Sequence, residues 1–201
     1  MDRLQAYRAH IFDFDGTLVD SDRLNVETIH ATLRAFGAAL PPTRLPAEPF
    51  VSVSRLRERF GIPSHVMPDH AFLSAARTYW ISNLHQAPPI PAACDALRRL
   101  ARQGPIAVAS ANDGRVIRTW LTATGLAQLV DVVLGREDVH QLKPDPEVYL
   151  LAAGRLGQPV TDCLAFENTD EGLAAAKAAG IAVIDVRRTS EWPDIAGHKR
   201  P

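Results

Sequence analysis

Two aspartates separated by one residue are the feature of the chain that most directly suggests chemistry. Asp13 and Asp15 lie in the segment DFDGT, which begins at the end of a short apolar run. Residues i and i+2 of a strand share a face, so both carboxylates are expected to point into the same crevice. Carboxylates so close together repel each other unless a metal ion or a shared proton lies between them. The pair therefore suggests a metal or acid–base site, although an acidic turn after a strand has the same composition.

Three further polar clusters follow apolar runs later in the chain. Ser110 and Asn112 offer a hydroxyl and an amide at the start of a predicted helix, which is either an anion-binding position or an ordinary N-cap. Lys143 precedes another predicted helix, where a single lysine can equally be solvated surface. Glu167 and Asn168 begin an acidic stretch of the kind that a helix N-terminus favours. Each cluster is ambiguous alone, and the four become informative only if their strands end side by side.

The hydrophobic pattern predicts a scaffold that brings such strand ends together. Five short apolar runs are predicted to be strands covered on both faces, because their apolar residues are consecutive and not alternating. These runs are residues 9–14, 105–110, 129–134, 162–166 and 181–186. Amphipathic helices are predicted between them, with stripes at Val116, Ile117, Trp120 and Leu121 and at Tyr149, Ala152, Ala153 and Leu156. Strand–helix alternation predicts an α/β fold with a doubly wound parallel Rossmann-like sheet, which binds ligands beyond the carboxyl ends of its strands.

One interval interrupts this alternation. Residues 21–89 contain no convincing strand, but they contain helical stripes at Val26, Ile29, Leu33 and Phe36 and at Phe72, Ala76, Trp80 and Leu84. Prolines are expected to interrupt helices in the middle of the interval, at Pro41, Pro42, Pro46 and Pro49, and to mark its exit at Pro88 and Pro89. We expect an α/β core domain of residues 1–20 and 90–201, with a helical cap domain of residues 21–89 inserted after the first strand.

The bulk composition is close to that of an average soluble protein. The 201 residues are 46% hydrophobic and 22% charged, with a formal net charge of −1 and no basic stripe, which argues against nucleic acid as a partner. No apolar signal core and no run of 18 apolar residues is present, so we expect a cytoplasmic protein without a membrane partner. Cys94 and Cys163 are isolated and are expected to be buried thiols and not zinc ligands. A monomer is the default expectation.

Four segments together resemble a known family. FDFDGTLVDSD, ASAN, LKPDPEVY and FENTDEGLAAAKAAG, in this order and spacing, resemble the motifs of the haloacid dehalogenase superfamily, and the resemblance covers nearly the whole chain. They match the subgroup with a small helical cap after the first motif, which includes β-phosphoglucomutase and sugar-phosphate phosphatases. The final segment IAVIDVRR is similar to the fructose-1-phosphatase-like members.

The resemblance implies a role for each residue of the first motif. Asp13 is similar to the nucleophile that accepts the phosphoryl group, and it is also a magnesium ligand in the family. Asp15 is similar to the general acid and base, whose carboxyl protonates the leaving oxygen and whose backbone carbonyl binds the metal. Thr17 lies within the motif but is expected to orient its neighbours and not to react.

The resemblance also assigns the other three motifs. Ser110 and Lys143 are expected to hold the phosphoryl oxygens, with help from the amide of Asn112. Glu167 and Asn168 occupy the positions of two metal-binding acids. A phosphomonoester dianion repels an attacking carboxylate, so Mg²⁺ and a lysine are needed to neutralise charge before attack. The implied function is a magnesium-dependent phosphatase that hydrolyses a small phosphomonoester, of the sugar-phosphate kind, through a phosphoaspartate intermediate.

Two departures from the family pattern affect this interpretation. Asn168 stands where the family has an aspartate, so the metal is expected to bind more weakly unless Asp170 compensates. Arg55 lies in a segment that resembles the cap of the mutase, where an arginine binds phosphate, but it could equally be a plain surface residue. No counterpart of the mutase's cap lysine is found around Tyr79, and this absence favours a phosphatase.

Three alternatives remain open at this stage. A hexose-phosphate mutase of the β-phosphoglucomutase type would use the same core residues. A haloacid dehalogenase would share the nucleophile but lack the second acid of the first motif, so Asp15 argues against it. An inactive binding protein is suggested only by Asn168. The sequence does not identify the substrate.

Overall fold

The computed structural model describes residues 6–38 and 52–188, and the prolines at positions 41, 42, 46 and 49 lie outside the described residues. The chain divides into two compact units. The first contains residues 1–20 and 89–201, and the second contains residues 21–88. A cap function for the second unit stays a prediction. Within the described ranges, every helix is too short or too polar to cross a bilayer.

The first unit is built on a five-stranded parallel sheet, which confirms the predicted fold class. Each predicted apolar run corresponds to one strand: β1 Ala9–Phe12, β2 Ile106–Ala109, β3 Val132–Leu134, β4 Cys163–Glu167 and β5 Ala182–Asp185. Strand β4 extends one residue beyond its predicted run. The strand order is β3-β2-β1-β4-β5, and all neighbours are parallel. The chain leaves β1 toward β2 on one side and later returns to β4 on the other. The topological switch point therefore lies at β1, where ligands bind in open α/β sheets.

The pairing register decides which residues meet at this switch point. Phe12 of β1 is paired with Val108 of β2 and with Phe166 of β4. The residues that follow are Asp13, Ala109 and Glu167, so these three emerge side by side at the carboxyl edge of the sheet. Parallel pairing thus joins segments that are more than ninety residues apart in the sequence.

The described residues form seven α-helices, three in the second unit and four in the first. They are α1 Asp22–Ala35, α2 Val53–Phe60, α3 Asp69–Ser82, α4 Pro91–Leu100, α5 Gly114–Ala123, α6 Glu147–Arg155 and α7 Asp170–Ala178. Pro91 occupies the first turn of α4, where its missing N–H costs nothing. The stripes predicted on α5 and α6 are fully or almost fully buried. Gly180 follows α7 with a φ of 76°, which is the left-handed conformation that ends many helices.

Side chains of β1 contribute to a separate core on each face of the sheet. Ala9 and Ile11 pack with buried residues of α6 and α7. On the opposite face Phe12 stacks on Phe166 with ring centroids 4.5 Å apart, and Phe14 meets Trp120 of α5 edge to face at 5.3 Å. Both faces of the strand are therefore covered, as its consecutive apolar residues predict.

The second unit is helical, with α1, α2 and α3 around a small apolar core. Its buried cluster is formed by Leu33, Val53, Leu56, Ile62, Met67 and Phe72. The indole N–H of Trp80 donates to Asn25 Oδ1 at 2.8 Å and joins α3 to α1. Arg57 donates to the Met67 carbonyl at 3.1 Å and forms an ion pair with Asp69. These contacts give the unit its own internal structure.

An unpaired histidine lies inside the sheet. His10 is fully buried on β1, and neither of its ring nitrogens has a hydrogen-bond partner among the described residues. Burial lowers the pKa of His10 to about 4 from 6.5, because the charged imidazolium would be desolvated. The folded protein therefore keeps His10 neutral at a cost in unsatisfied polar atoms.

His10→Leu is expected to stabilise the protein at pH 7 and to reduce the loss of stability in acid. Removing two unsatisfied buried nitrogens should raise the free energy of unfolding by about 1–3 kcal/mol. In the unfolded chain His10 is protonated below about pH 6.5, whereas in the folded protein it stays neutral down to about pH 4. The unfolded state therefore binds an extra proton in this range, and acid destabilises the wild type. The difference in the free energy of unfolding between the variant and the wild type should therefore grow by about 2 kcal/mol from pH 7 to pH 5. Urea unfolding at both pH values measures it.

The control for this experiment is His65→Leu, because His65 is exposed. That variant should unfold like the wild type at both pH values. An advantage of His10→Leu that is the same at pH 5 and pH 7 would contradict the assigned protonation behaviour of His10.

Candidate active site

A buried lysine joins the ends of three strands. Lys143 Nζ donates to Asp13 Oδ1 at 2.7 Å, to Glu167 Oε1 at 2.6 Å and to the carbonyl oxygen of Ala109 at 3.1 Å. These acceptors follow or end β1, β4 and β2. The N–H of Asp13 donates to the Phe166 carbonyl at 3.0 Å, which extends the pairing of β1 with β4 by one residue. The lysine that the sequence leaves ambiguous is thus the centre of a charged cluster.

This cluster is almost completely removed from solvent. The side chains of Asp13 and Lys143 are each only 8% exposed. Burial raises the pKa of Asp13 to about 7, the carboxylate of Glu167 adds to this effect, and Lys143 opposes it. Burial also opposes the charge of Lys143, but Asp13, Tyr149 and Glu167 raise the pKa of the lysine well above its usual value. Two carboxylates share one ammonium, so the cluster favours an additional cation.

Glu167 is held by five hydrogen bonds and has no exposed surface. Its Oε1 accepts from Lys143 and, at 2.9 Å, from the hydroxyl of Tyr149. Its Oε2 accepts from the N–H of Asn168 at 2.9 Å and from the N–H and hydroxyl of Thr169, both at 3.1 Å. Burial alone would raise the pKa of Glu167, but Lys143 and the other donors lower it. Both oxygens of this predicted metal ligand are therefore already engaged by donors of the protein.

Two residues that support Glu167 were not predicted as part of the site. Tyr149 belongs to the LKPDPEVY segment, but its spacing predicts only a core position on α6. Gly172 lies in the first turn of α7, directly beneath the carboxylate of Glu167, and a Cβ there would overlap both carboxylate oxygens. Glycine at this position allows the helix N-terminus to approach the buried carboxylate. In the sequence, the feature that could have indicated this close approach is the glycine that follows the acidic stretch.

Asp15 is contacted by a residue that the sequence assigns to phosphate. Asn112 Nδ2 donates to Asp15 Oδ2 at 3.0 Å, and the N–H of Asn112 donates to Ser110 Oγ at 3.1 Å. Ser110 is 2% exposed. The structure thus links Ser110, Asn112 and Asp15 in one chain of hydrogen bonds. In this arrangement Asn112 orients the carboxyl of Asp15, and its role at the phosphate stays a prediction.

A loop after β3 holds Asn112 in place. The N–H of Arg136 donates to the Asn112 carbonyl at 2.9 Å, and the carboxylate of Glu137 accepts from the N–H of Gly114 at 3.0 and 3.1 Å. Glu137 therefore caps the N-terminus of α5, where a negative charge is favoured by the helix dipole. This anchoring fixes the segment from which Asn112 reaches Asp15.

Asn168 lies against the turn that carries Asp15. The hydroxyl of Thr17 donates to Asn168 Oδ1 at 3.3 Å. Gly16 has a φ of 74°, and a Cβ at this position would overlap the Asn168 amide. Asp170, in contrast, is exposed and pairs with Arg187 at 2.8 Å. Of the two residues considered for the metal shell, the structure brings Asn168 to the first motif.

The oxygen atoms at the site are compatible with Mg²⁺. Within residues 6–38 and 52–188 no group of three or more His, Cys, Asp or Glu side chains forms a metal-binding cluster. Asp13 Oδ2 has no hydrogen-bond donor in the described part of the chain. The amide oxygen of Asn168 accepts from Thr17, which lies in the same DFDGT segment as Asp13. Mg²⁺ binds hard oxygen ligands and usually keeps several waters, so it is served by one or two carboxylates with amide or carbonyl oxygens.

Arg55, the residue expected to bind substrate from the cap, belongs to the second unit. It is exposed in the first turn of α2, and its N–H donates to the N-cap Ser52 Oγ at 3.3 Å. The guanidinium is therefore accessible, and its role stays a prediction.

Comparisons with known proteins identify the family to which the chain belongs. A family model for haloacid dehalogenase-like hydrolases matches residues 10–186. The fructose-1-phosphate phosphatase of Escherichia coli is 27% identical over 185 residues, covering 91% of this chain and 98% of the relative. The validoxylamine A 7'-phosphate phosphatase of Streptomyces hygroscopicus is 29% identical over 203 residues, covering 94% and 90%.

A solved structure supports the fold in the same way. CbbY from Rhodobacter sphaeroides, crystallised in complex with phosphate, superposes with a TM-score of 0.72 at 21% identity, covering 96% of this chain and 90% of CbbY. With a family model over most of its length and relatives named as phosphatases, the chain belongs to the haloacid dehalogenase-like hydrolase family and is one of its phosphohydrolases.

Proposed function

We propose that the protein is a magnesium-dependent phosphatase that hydrolyses a small sugar phosphate through a phosphoaspartate on Asp13. The observation that carries this proposal is the contact of Lys143 Nζ with Asp13 Oδ1 at 2.7 Å at the topological switch point. This contact supports the proposal because it joins a buried carboxylate, which could act as the nucleophile, to a buried cation at the edge where open α/β sheets bind ligands. Support for the substrate class comes from relatives named for fructose 1-phosphate and for a 7'-phosphate of validoxylamine A.

The first half-reaction transfers the phosphoryl group to the protein. An oxygen of Asp13 forms a bond to phosphorus while the bond from phosphorus to the substrate oxygen breaks. Asp15 gives its proton to that leaving oxygen, and Asn112 holds the Asp15 carboxyl through its 3.0 Å hydrogen bond. Lys143 offsets the charge of the phosphoryl oxygens, which would otherwise repel the carboxylate of Asp13.

The second half-reaction regenerates Asp13. Asp15, now ionised, accepts a proton from a water molecule whose oxygen attacks phosphorus. The bond from Asp13 to phosphorus breaks, and inorganic phosphate leaves. When bound, Mg²⁺ would be held by Asp13, the Asp15 carbonyl and the Asn168 amide oxygen, and it would neutralise charge on the phosphoryl group. Glu167 contributes indirectly, by fixing Lys143 and the start of α7.

The proposal is tested with p-nitrophenyl phosphate and with a panel of sugar phosphates, phosphoglycolate and nucleotides, each with Mg²⁺ and with EDTA. We expect release of inorganic phosphate that requires Mg²⁺ and is fastest for a sugar phosphate. Conversion of glucose 1-phosphate into glucose 6-phosphate without net phosphate release would identify a mutase instead. Failure to release phosphate from any member of the panel would reject the proposed function.

Asn168→Asp is expected to lower the Mg²⁺ concentration that gives half-maximal activity. A carboxylate in place of the amide adds one negative charge to a metal-binding oxygen next to the first motif. The direct measurement is calorimetric titration of Mg²⁺ into both proteins, with activity titrations alongside. Asp170→Asn is the control, because Asp170 pairs with Arg187 and should leave Mg²⁺ affinity unchanged. Unchanged or weaker Mg²⁺ binding by Asn168→Asp would remove residue 168 from the metal shell.

Arg55→Ala is expected to lower kcat/KM for the sugar phosphate while leaving p-nitrophenyl phosphate almost unaffected. A guanidinium can grip a second charged or hydroxylated part of the substrate, and p-nitrophenyl phosphate offers none. Steady-state kinetics with both substrates provide the measurement. Arg59→Ala, another exposed arginine of α2, is the matched control. Equal losses with both substrates, or no loss with either, would exclude Arg55 as a specificity residue.

A further inference from the structure

The hydroxyl of Tyr149 contacts the charged cluster and has no role in the mechanism above. Tyr149 is fully buried on α6, and its Oη donates to Glu167 Oε1 at 2.9 Å. Its ring lies beside the lysine, with Lys143 Nζ 5.1 Å from the ring centroid. Tyr149 thus contacts both members of the Lys143–Glu167 ion pair. A buried tyrosine usually finds some hydrogen-bond partner, so the contact alone is compatible with simple packing.

The number of hydrogen-bond donors on Lys143 indicates that the contact between Tyr149 and Glu167 matters for phosphate binding. A lysine ammonium has three N–H donors. All three are committed within the protein, to Asp13 Oδ1, to the Ala109 carbonyl and to Glu167 Oε1. Binding of a phosphoryl oxygen, which the proposed function assigns to Lys143, therefore requires the lysine to release one of these acceptors.

Glu167 is an acceptor that Lys143 can release while each oxygen of the Glu167 carboxylate keeps at least one hydrogen-bond donor. Asp13 Oδ1 accepts from Lys143 and from no other donor in the described part of the chain, and it belongs to the nucleophile. Glu167 Oε1 has a second donor in Tyr149, and its other oxygen accepts three further hydrogen bonds. Without the tyrosine hydroxyl, Glu167 Oε1 would lose its last donor when the lysine turns away, and this loss is costly for a fully buried carboxylate.

We propose that Tyr149 is a positioning residue whose hydroxyl keeps Glu167 hydrogen-bonded while Lys143 turns from Glu167 to a phosphoryl oxygen. This inference rests on the proposed function, because it assumes that Lys143 binds phosphate. It predicts that the hydroxyl contributes to phosphate binding without touching phosphate.

Tyr149→Phe separates the hydroxyl from the ring. The variant keeps the aromatic packing and the ring beside Lys143, and it removes only the donor to Glu167. We expect the Kd of inorganic phosphate, measured by calorimetry in Mg²⁺, to rise about tenfold. The KM for p-nitrophenyl phosphate should rise by a similar factor with kcat nearly unchanged, because the loss is shared by ground state and transition state. A role in core packing alone would leave both constants as in the wild type.

Two control variants account for effects that do not involve Glu167. Tyr7→Phe removes a hydroxyl from a half-buried tyrosine elsewhere in the first unit, and Ile117→Val removes one methylene group from the core beside the sheet. Both should bind inorganic phosphate within about twofold of the wild type, since neither is a hydrogen-bond partner of Lys143 or Glu167. In a Glu167→Gln background, Tyr149→Phe should weaken phosphate binding by less than about threefold, because no buried charge then depends on the hydroxyl.

The outcomes distinguish this inference from the proposed function. If the wild type turns over phosphomonoesters and Tyr149→Phe binds inorganic phosphate equally well, the positioning role is wrong and the phosphatase assignment stands. A full tenfold loss that persists in the Glu167→Gln background would also overturn it, because Tyr149 would then act by another route. A wild type that neither binds phosphate nor releases it from substrates would reject the proposed function, and this inference with it.

Discussion

Asp13→Asn is expected to abolish turnover while the protein stays folded. An amide does not attack phosphorus, so the covalent step is lost, and removal of a nucleophile typically lowers kcat by roughly 10⁵–10⁶-fold. The fold should tolerate the change, because burial disfavours the charge of Asp13 and Lys143 keeps its ion pair with Glu167. Initial rates with p-nitrophenyl phosphate, together with thermal unfolding of the same samples, give both measurements.

The control for Asp13→Asn is Asp95→Asn. Asp95 is an exposed residue of α4 paired with Arg98, and its loss should change neither rate nor stability measurably. Acid quenching during turnover of a radiolabelled substrate should leave label on the wild-type protein and none on Asp13→Asn. A variant that keeps near wild-type activity, or that still accumulates label, would show that Asp13 is not the nucleophile.

Asp15→Asn is expected to slow turnover by roughly 10²–10⁴-fold, which is the usual contribution of a general acid–base residue. The loss should depend on the substrate. An alkyl phosphate needs a proton on its leaving oxygen, whereas p-nitrophenolate leaves without one, so the alkyl phosphate should lose more. Comparing kcat/KM for a sugar phosphate and for p-nitrophenyl phosphate on this variant measures the difference.

Asn112→Ala serves as the companion variant for Asp15→Asn. It removes the 3.0 Å hydrogen bond to Asp15 Oδ2 and keeps the carboxyl itself. It should show the same dependence on the leaving group, at smaller magnitude, because it disturbs the orientation of the acid and not its presence. Equal losses of Asp15→Asn with both substrates would mean that Asp15 is not the acid that protonates the leaving oxygen.

Much of the fold follows from local patterns in the sequence. Each of the five predicted apolar runs corresponds to a strand, and the stripes containing Trp120 and Tyr149 are buried on the helices predicted for them. These features depend on residues within about ten positions of one another, so a single sequence is sufficient to predict them. Helix α2 is only eight residues long, which is too short for its periodicity to predict it.

The composition of the candidate site is also largely contained in the sequence. The acids, hydroxyl, amide and lysine that were singled out all follow predicted strands, and parallel strands bring their carboxyl ends to one edge. The family resemblance then names Asp13 as nucleophile and Asp15 as acid.

The tertiary structure decided which of these residues contact each other. Lys143 and Asp13 are 130 positions apart, and Asn112 and Asp15 are 97 apart, so no local pattern specifies either pair. The pairing of Phe12 with Val108 and Phe166 sets the strand ends side by side, and the directions of the side chains then select the partners.

Packing also gave some residues roles that their types do not reveal. Glu167 has a carboxylate of the kind that binds metals, but in the fold this carboxylate accepts five hydrogen bonds. One of them comes from Tyr149, for which the helical spacing predicts only a core position. Gly172 has no side chain to suggest a role, yet its lack of a Cβ admits the buried carboxylate. The strands, most of the helices and the types of reactive group follow from the sequence, because they depend on near neighbours and on residue type. The hydrogen bonds and protonation of these groups are set by the fold, because they depend on distances of about 3 Å between segments far apart in the chain.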